Sequence, residues 1–288
     1  GKCILFKEFA GVDAIPICLD TQDEEEIIKT VKYLAPVFGG INLEDISAPK
    51  CFTIETRLKA ELDIPVMHDD QHGAATATLA GLINALKLRG LTKAEARVVI
   101  NGAGAAGIAT TKLLLEYGFS NIIICDSKGA IYKGRTDLTP IKSALAGLTN
   151  KSKVRGELKD VLPGADVFIG VSIANVLNKA MVRSMKAKPI IFALANPIPE
   201  ILPEAAKAAG AFIVATGRSD FPNQVNNALI FPGVFRGALD NGVVKINNTM
   251  LIRAAESLAG LVAEPTSDEI LPSVFNKDVA AAVAKAIF

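Results

Sequence analysis

Two adjacent acidic pairs, Glu44-Asp45 in NLEDIS and Asp69-Asp70 in HDDQHG, could present four carboxylates to one divalent cation. Some thirty residues after the second pair comes a glycine loop, NGAGAAG, at residues 101–107. A hard cation beside a redox dinucleotide points to oxidation of a hydroxy acid with decarboxylation.

Taken singly, Glu44, Asp45, Asp69 and Asp70 would each be at home capping a helix N-terminus. Four converging at one sheet edge are different, because like charges raise one another's pKa unless a cation neutralises them. Three carboxylates with waters and substrate oxygens complete an octahedral Mg²⁺ or Mn²⁺ shell, and the lack of cysteine ligands argues against zinc. His68 and His72 flank the second pair. Packing or hydrogen bonding is the expected role of both, with tuning of the neighbouring carboxylates as the alternative.

Gly102, Gly104 and Gly107 have GxGxxG spacing, and Ala105 and Ala106 carry the loop into the helix that follows. Such glycines let the backbone approach a pyrophosphate, while the helix N-terminus supplies amide donors and positive potential. An ordinary strand-helix turn would also use glycine, but Asp126 ends the next strand nineteen residues after Gly107, placed to accept hydrogen bonds from an adenine ribose. Its charge would repel a 2′-phosphate, which favours NAD over NADP. Lys128 and Lys142 could fold over the same pocket or remain solvated. Farther on, Asn196 in LANPIPE and Asn226-Asn227 in RSDFPNQVNNALIFPG offer uncharged amides, which add hydrogen bonds without adding charge. Turn formation is the plainer role for asparagine. Spacing says nothing about Lys2, and a terminal lysine is ordinarily a solvated charge.

The elements that must position these residues alternate between short apolar runs and helical patterns, the signature of βαβ units. The expected class is α/β, with two doubly wound domains, one of them a Rossmann-type dinucleotide-binding domain with a parallel sheet. In the first, strands are expected at 15–19, 40–43 and 64–67, with a Thr21–Glu24 capping box opening a helix to Leu34. Ser47 and Pro49 suit the start of a helix to about Leu62. Both acidic pairs then end successive parallel strands and emerge at one carboxyl edge, where such sheets bind ligands. A helix from Gln71 to Leu88 stops at Gly90, and another ends at Tyr117 before Gly118. The second sheet takes strands 97–100, 122–125, 167–170, 190–194 and 212–215, and Asn247 caps a later helix. The domains are expected to be 1–69 with 227–288 on the metal side, and 70–226 on the dinucleotide side. Asp69-Asp70 and Asn226-Asn227 fall at the two crossings, so domain closure would assemble the site.

Bulk properties agree with a small-molecule enzyme. Half of the 288 residues are hydrophobic, and 31 basic against 30 acidic residues leave a net charge of +1. That balance provides no electrostatic footprint for nucleic acid or an anionic membrane. No apolar run approaches the ~20 residues of a membrane span, and the opening residues show no signal-peptide pattern. Cys3, Cys18, Cys51 and Cys125 form no CxxC pair and read as reduced thiols of a cytoplasmic protein. A homodimer or higher homo-oligomer is expected. The chain opens Gly1-Lys2 without methionine, and its true N-terminus is expected upstream.

Taken together, GKCILFKEFAGVDAIPICLDT, FGGINLEDISAP, IPVMHDDQHG, VINGAGAAGIA, FALANPIPE and RSDFPNQVNNALIFPGVFRGALD resemble the malic enzymes of small bacterial or archaeal type. The resemblance runs from residue 1 to about 240 and implies oxidation of L-malate by NAD(P)⁺ with a divalent metal, then decarboxylation to pyruvate. By motif it makes Glu44, Asp45 and Asp70 metal ligands, Lys2 the catalytic base with a lowered pKa, and Asp69 its acidic partner. Asn196 and Asn227 match substrate-contacting amides, and Asn226 lies near the nicotinamide. The family's tyrosine acid and a malate-binding arginine lie upstream of the GK step, and Tyr33, Tyr117 and Tyr132 sit in no matching motif. Ala74 stands where relatives commonly carry threonine. Two rival readings are malolactic-type chemistry, which releases lactate, and a nucleotide-binding module without catalysis.

Overall fold

A computed structural model describes residues 1–288. Helix α1, Lys2–Ala10, ends at Gly11, whose left-handed φ of 62° closes the last turn. Residues 15–19, expected to form a strand, belong to no helix or strand and pair with nothing. Pro16 has no N–H to donate, and Ile15 and Ile17 face solvent, so no ladder holds the segment and only Leu19 packs against the small cluster. Helix α2, Glu24–Leu34, is capped by Asp23, whose carboxylate accepts the N–H groups of Glu25 and Glu26. The Thr21–Glu24 box does not form; Thr21 instead bonds Glu26 and the Asp23 backbone.

Strand β1 (Ile41–Leu43), helix α3 (Lys50–Glu61) and strand β2 (Val66–His68) follow. β1 and β2 pair in parallel, with Leu43 opposite His68. Ile27, Ile28 and Val31 of α2 and Ile54 and Leu58 of α3 cover this two-stranded sheet. Helix α4, Asp69–Arg89, is the long central helix, buried on most of its circumference and closed by left-handed Gly90.

The second sheet begins with β3 (Arg97–Asn101), α5 (Ala105–Tyr117) and β4 (Asn121–Asp126). A short β5 (Gly129–Ala130) turns back antiparallel on β4. Helices α6 (Pro140–Leu148) and α7 (Leu158–Val161) lead to β6 (Val167–Gly170), and α8 (Lys179–Ser184) leads to β7 (Ile190–Ala193). Helix α9 (Pro203–Ala208) and β8 (Ile213–Thr216) complete it. The order is β5-β4-β3-β6-β7-β8, parallel except for β5. β3 and β6 are neighbours although the chain reverses direction across the sheet between them, which creates the crevice where α/β sheets take ligands. Alternation sorts the strands onto two faces: Val98, Ile100 and Phe192 face the larger core, Val99, Phe168 and Ile191 the smaller.

Helices α10 (Phe231–Asp240), α11 (Asn248–Gly260, capped by Asn247) and α12 (Asp278–Ala284) follow; α10 and α12 pack on each other and on α1, and α11 packs on α4 and α12. Gly233 and Gly237 let α10 lie directly on α12, since a Cβ there would stand 2.6 Å from Val283 Cβ and 2.3 Å from the Ala284 carbonyl. Phe231 is fully buried with its ring centroid 4.7 Å from that of Phe6, so α10 also anchors α1. Phe231→Ala should therefore cost about 3–5 kcal/mol of unfolding free energy in urea titrations, the range for deleting a buried aromatic ring.

Candidate active site

Because β1 and β2 end side by side, the acidic pairs leave the small sheet at one edge. Glu44, Asp45 and Asp70 bring carboxylate oxygens within 4.8 Å of one another. Asp45 takes a left-handed φ of 56°, tolerated by its short polar side chain, and turns its backbone N–H onto Asp70 Oδ2 at 2.9 Å. Asp69 goes elsewhere. As the first residue of α4 it turns inward and has no exposed surface, so the four acids divide into a cluster of three and a single buried carboxylate.

That buried carboxylate pairs with Lys2, at the start of α1. Lys2 Nζ also lies 2.9 Å from Glu44 Oε2 and 4.5 Å from the centroid of the Phe231 ring. Burial pushes the Asp69 carboxyl up, to about 7, against the attraction of the ammonium. Burial would lower Lys2, but Asp69 and Glu44 together hold it above its ordinary value. The resemblance implies a lowered value; with two carboxylates on one ammonium the balance runs the other way. Gly73 makes room for the pair: a Cβ there would meet Asp69 Oδ1 at 2.0 Å and Asn227 Cβ at 2.9 Å. Asn227 is thereby brought against the same turn of α4 as Asp69.

His68 is fully buried, its Nε2 3.4 Å from Asp70 Oδ2, an ion-pair separation without hydrogen-bond alignment. Burial opposes its charge, but Asp70 and Cys51 raise the imidazole to about 9. Asp70 is lowered in spite of burial, by His68 and by the Asp45 N–H. His68 thus fills the expected packing and hydrogen-bonding role, with its Nδ1 3.0 Å from Gln71 Nε2, and its charge also bears on Asp70 beside it. His72 serves the scaffold: its Nε2 is 2.9 Å from Glu55 Oε2, and burial lowers its pKa. Glu55 also accepts the His68 backbone N–H at 2.9 Å and pairs with Lys59 at 2.8 Å. Sequence reasoning passed over Glu55, although it lies on the Cys51, Ile54, Leu58 stripe that α3 buries.

On the dinucleotide side, Gly102 (φ 120°) and Gly107 admit no side chain: a Cβ would meet the Val171 carbonyl at 2.5 Å and the Gly102 carbonyl at 1.8 Å. Gly104 differs, with open space where its Cβ would stand, the surface a pyrophosphate requires. Ala105 and Ala106 form the first turn of α5, with their amides at its N-terminus. Asp126 ends β4 as expected, but its charge is not free. Arg135 Nη1 and Lys142 Nζ each lie 2.9 Å from its carboxylate, and the Lys128 N–H donates to it. Burial alone would raise Asp126, but Arg135 and Lys142 hold it below the usual carboxylate range. Lys142 therefore folds over the pocket, Lys128 pairs with Asp137, and the argument for NAD from an unopposed carboxylate loses its basis. Arg135 was missed because it sits in an irregular polar loop with no spacing signal.

The amides divide. Asn196 is exposed two residues beyond Leu194, at the carboxyl edge of β7. Asn226 is tied to its own loop, donating to the Gly217 carbonyl at 3.1 Å and accepting from the Ala228 N–H at 2.9 Å. Of the tyrosines, Tyr33 is exposed, Tyr117 lies under Lys93, and Tyr132 lies under Arg155. Ala74 is half-buried in α4.

Fold and site together define a dinucleotide-binding α/β protein whose glycine loop and acidic cluster sit at sheet carboxyl edges. Residues 71–288 match the malic enzyme NAD-binding domain and residues 1–59 the malic enzyme N-terminal domain, so the chain belongs to the malic enzyme family. It is 59% identical over 290 residues to the bifunctional malic/malolactic enzyme of Bacillus subtilis (strain 168), aligning across 100% of this chain and 71% of that protein. It is 56% identical to the NAD-dependent malic enzyme of Geobacillus stearothermophilus, over 100% of this chain and 60% of that one. Proteins named NADP-dependent malic enzymes also match. The crystal structure of the NAD-dependent malic enzyme from Thermotoga maritima superposes with a TM-score of 0.96 at 50% identity, covering 99% of this chain and 76% of that one. No helix is long and apolar enough to cross a membrane.

The buried Glu55 network gives a test of the scaffold. Burial opposes the Glu55 charge, but His72 and Lys59 lower its pKa from 4.5 to about 2. A depressed folded-state pKa contributes stability that is complete above the unfolded value and disappears as pH falls through the folded one. Glu55 should thus supply on the order of 3 kcal/mol near neutrality, lost between about pH 4.5 and pH 2. Glu55→Gln should flatten the urea-unfolding profile over that interval; an unchanged profile would remove Glu55 from the account.

Proposed function

We propose that this chain catalyses oxidative decarboxylation of L-malate to pyruvate and CO₂ with reduction of NAD(P)⁺, dependent on Mg²⁺ or Mn²⁺. The observation that carries the reading is the Lys2–Asp69 pair set directly against three convergent carboxylates. Glu44, Asp45 and Asp70 form an all-oxygen donor set that fits a hard divalent ion. When bound, the cation supplies a Lewis acid and the dinucleotide a two-electron acceptor.

The chain's own residues then have defined tasks. Lys2, as the amine, takes the proton of the C2 hydroxyl, and Asp69 is its proton partner. Glu44, if it held a cation, would no longer be free to keep the Lys2 ammonium charged. Asn196 and Asn227 orient the substrate by hydrogen bonds that add no charge. Asn226, held by Gly217 and Ala228, fixes the loop beside the nicotinamide. Gly102, Gly104, Ala105, Ala106 and Gly107 receive the pyrophosphate, and Asp126 faces the adenine ribose.

Residues 1–69 with 227–288 and residues 70–226 act as two bodies about this site. The position of Gly73 between Asp69 and Asn227 supports placing both chain crossings there. A malolactic outcome is the second reading, favoured by the bifunctional name of the Bacillus subtilis relative. Free reduced dinucleotide during malate turnover with Mn²⁺ supports the first; lactate without it supports the second.

Two variants test the assignments. Asp70→Asn should lower turnover by on the order of a thousandfold, the several kcal/mol a Lewis acid supplies, while leaving dinucleotide affinity unchanged. Retained turnover would remove Asp70 from the ligand set. Lys142→Gln should raise the KM for NADP⁺ by about fivefold and move that for NAD⁺ little, since a partly exposed cation contributes about 1 kcal/mol to a phosphate. Equal effects on both would place Lys142 outside the 2′-phosphate pocket.

A further inference from the structure

Glu200 is fully buried, and its partners are backbone N–H groups and the Ser172 hydroxyl rather than a cation. Such a carboxylate is costly unless its oxygens are satisfied, and here they are satisfied by two different loops. Oε1 accepts the Ser172 backbone N–H at 3.0 Å, from the loop after β6. Oε2 accepts the Ala195 N–H at 3.0 Å, from the loop after β7. The carboxylate lies on the last residue of β6: a Cβ on Gly170 would stand 2.3 Å from Glu200 Cδ.

These contacts extend to both ends of the cleft. Asn101, the residue before the glycine loop, donates its side-chain amide to Ser172 Oγ at 2.9 Å. Val171, beside Ser172, takes a backbone bond from its own N–H to the Asn101 carbonyl and forms the floor against which Gly102 and Gly107 pack. Ala195 immediately precedes Asn196. One side chain therefore connects the strand ends that carry the pyrophosphate loop with the strand end that carries the proposed substrate amide. A carboxylate suits this task because both oxygens accept; a carboxamide would turn an NH₂ group toward one of the two N–H donors.

We propose that Glu200 is a positioning residue that locks the β6 and β7 loops together and so holds Asn196 in register with the glycine loop. The role of Asn196 rests on the malate reading, whereas the lock on the dinucleotide loop does not.

The test uses the full-length protein, titrated with NAD⁺ and NADP⁺ by calorimetry and assayed with malate and Mn²⁺. Glu200→Gln should raise the dinucleotide Kd about tenfold and lower kcat, the scale of one buried hydrogen bond lost with its donor left unpaired. Gly170→Ala should give the same pattern by displacing the carboxylate without removing it, and the two changes combined should be far from additive. Ser172→Ala, which removes the hydroxyl that accepts from Asn101 and itself donates to Glu200 Oε1 at 3.5 Å while leaving the backbone N–H bond to Glu200 in place, should raise Kd about threefold; it decides the matter together with Gly170→Ala if Glu200→Gln does not fold. Folded variants with a lowered Tm but unchanged Kd and kcat would overturn the proposal by making Glu200 a purely structural residue. If the unmodified protein binds dinucleotide and turns over no malate, the malate reading fails while the Kd series still decides Glu200.

Discussion

A carboxylate with no exposed surface needs a cation or hydrogen-bond donors to offset its burial, and Asp69 finds Lys2. Much of the surrounding structure follows from that pairing. Lys2 opens α1, so the helix must lie where its first residue reaches the edge of α4, and Phe6 and Phe231 fasten it there. Gly73 must lack a side chain because the Asp69 carboxylate and Asn227 occupy the space. The same pairing takes Asp69 out of the acidic cluster and leaves Glu44, Asp45 and Asp70 facing one point.

The two halves of the site solve opposite electrostatic problems. The acidic edge concentrates negative charge and is steadied from behind, by His68 on Asp70 and by Glu55 holding the His68 backbone. A hard cation at that point would relieve the edge's own repulsion. The dinucleotide side carries no acidic cluster; it offers a helix N-terminus, open backbone at Gly104, and Arg135 and Lys142 around a single aspartate. Positive potential there suits phosphates, with or without a 2′ group.

Much of the fold was legible in the chain because it depends on local rules. Short apolar runs between helical patterns marked the strands of the large sheet, glycine stops marked the ends of α4 and α5, and two successive strands ending in acidic pairs were placed to bring them to one edge. The chemistry-bearing motifs were legible for the same reason, since GxGxxG between a strand and a helix is a local demand of backbone geometry. Residues 15–19 show the limit: their composition suits a strand, but a strand exists only if another segment pairs with it, and none does.

The sequence by itself thus determined the α/β class, the glycine loop and the meeting of the acidic pairs, all consequences of short-range periodicity and steric freedom. Only the tertiary structure decided which acid turned inward onto Lys2, that Arg135 and Lys142 compensate Asp126, and that Glu55 and Glu200 brace the two half-sites from behind. Those outcomes are set by burial and by polar groups brought together from as far as 67 positions apart in the chain, and contacts over such separations leave no periodic trace in the order of residues.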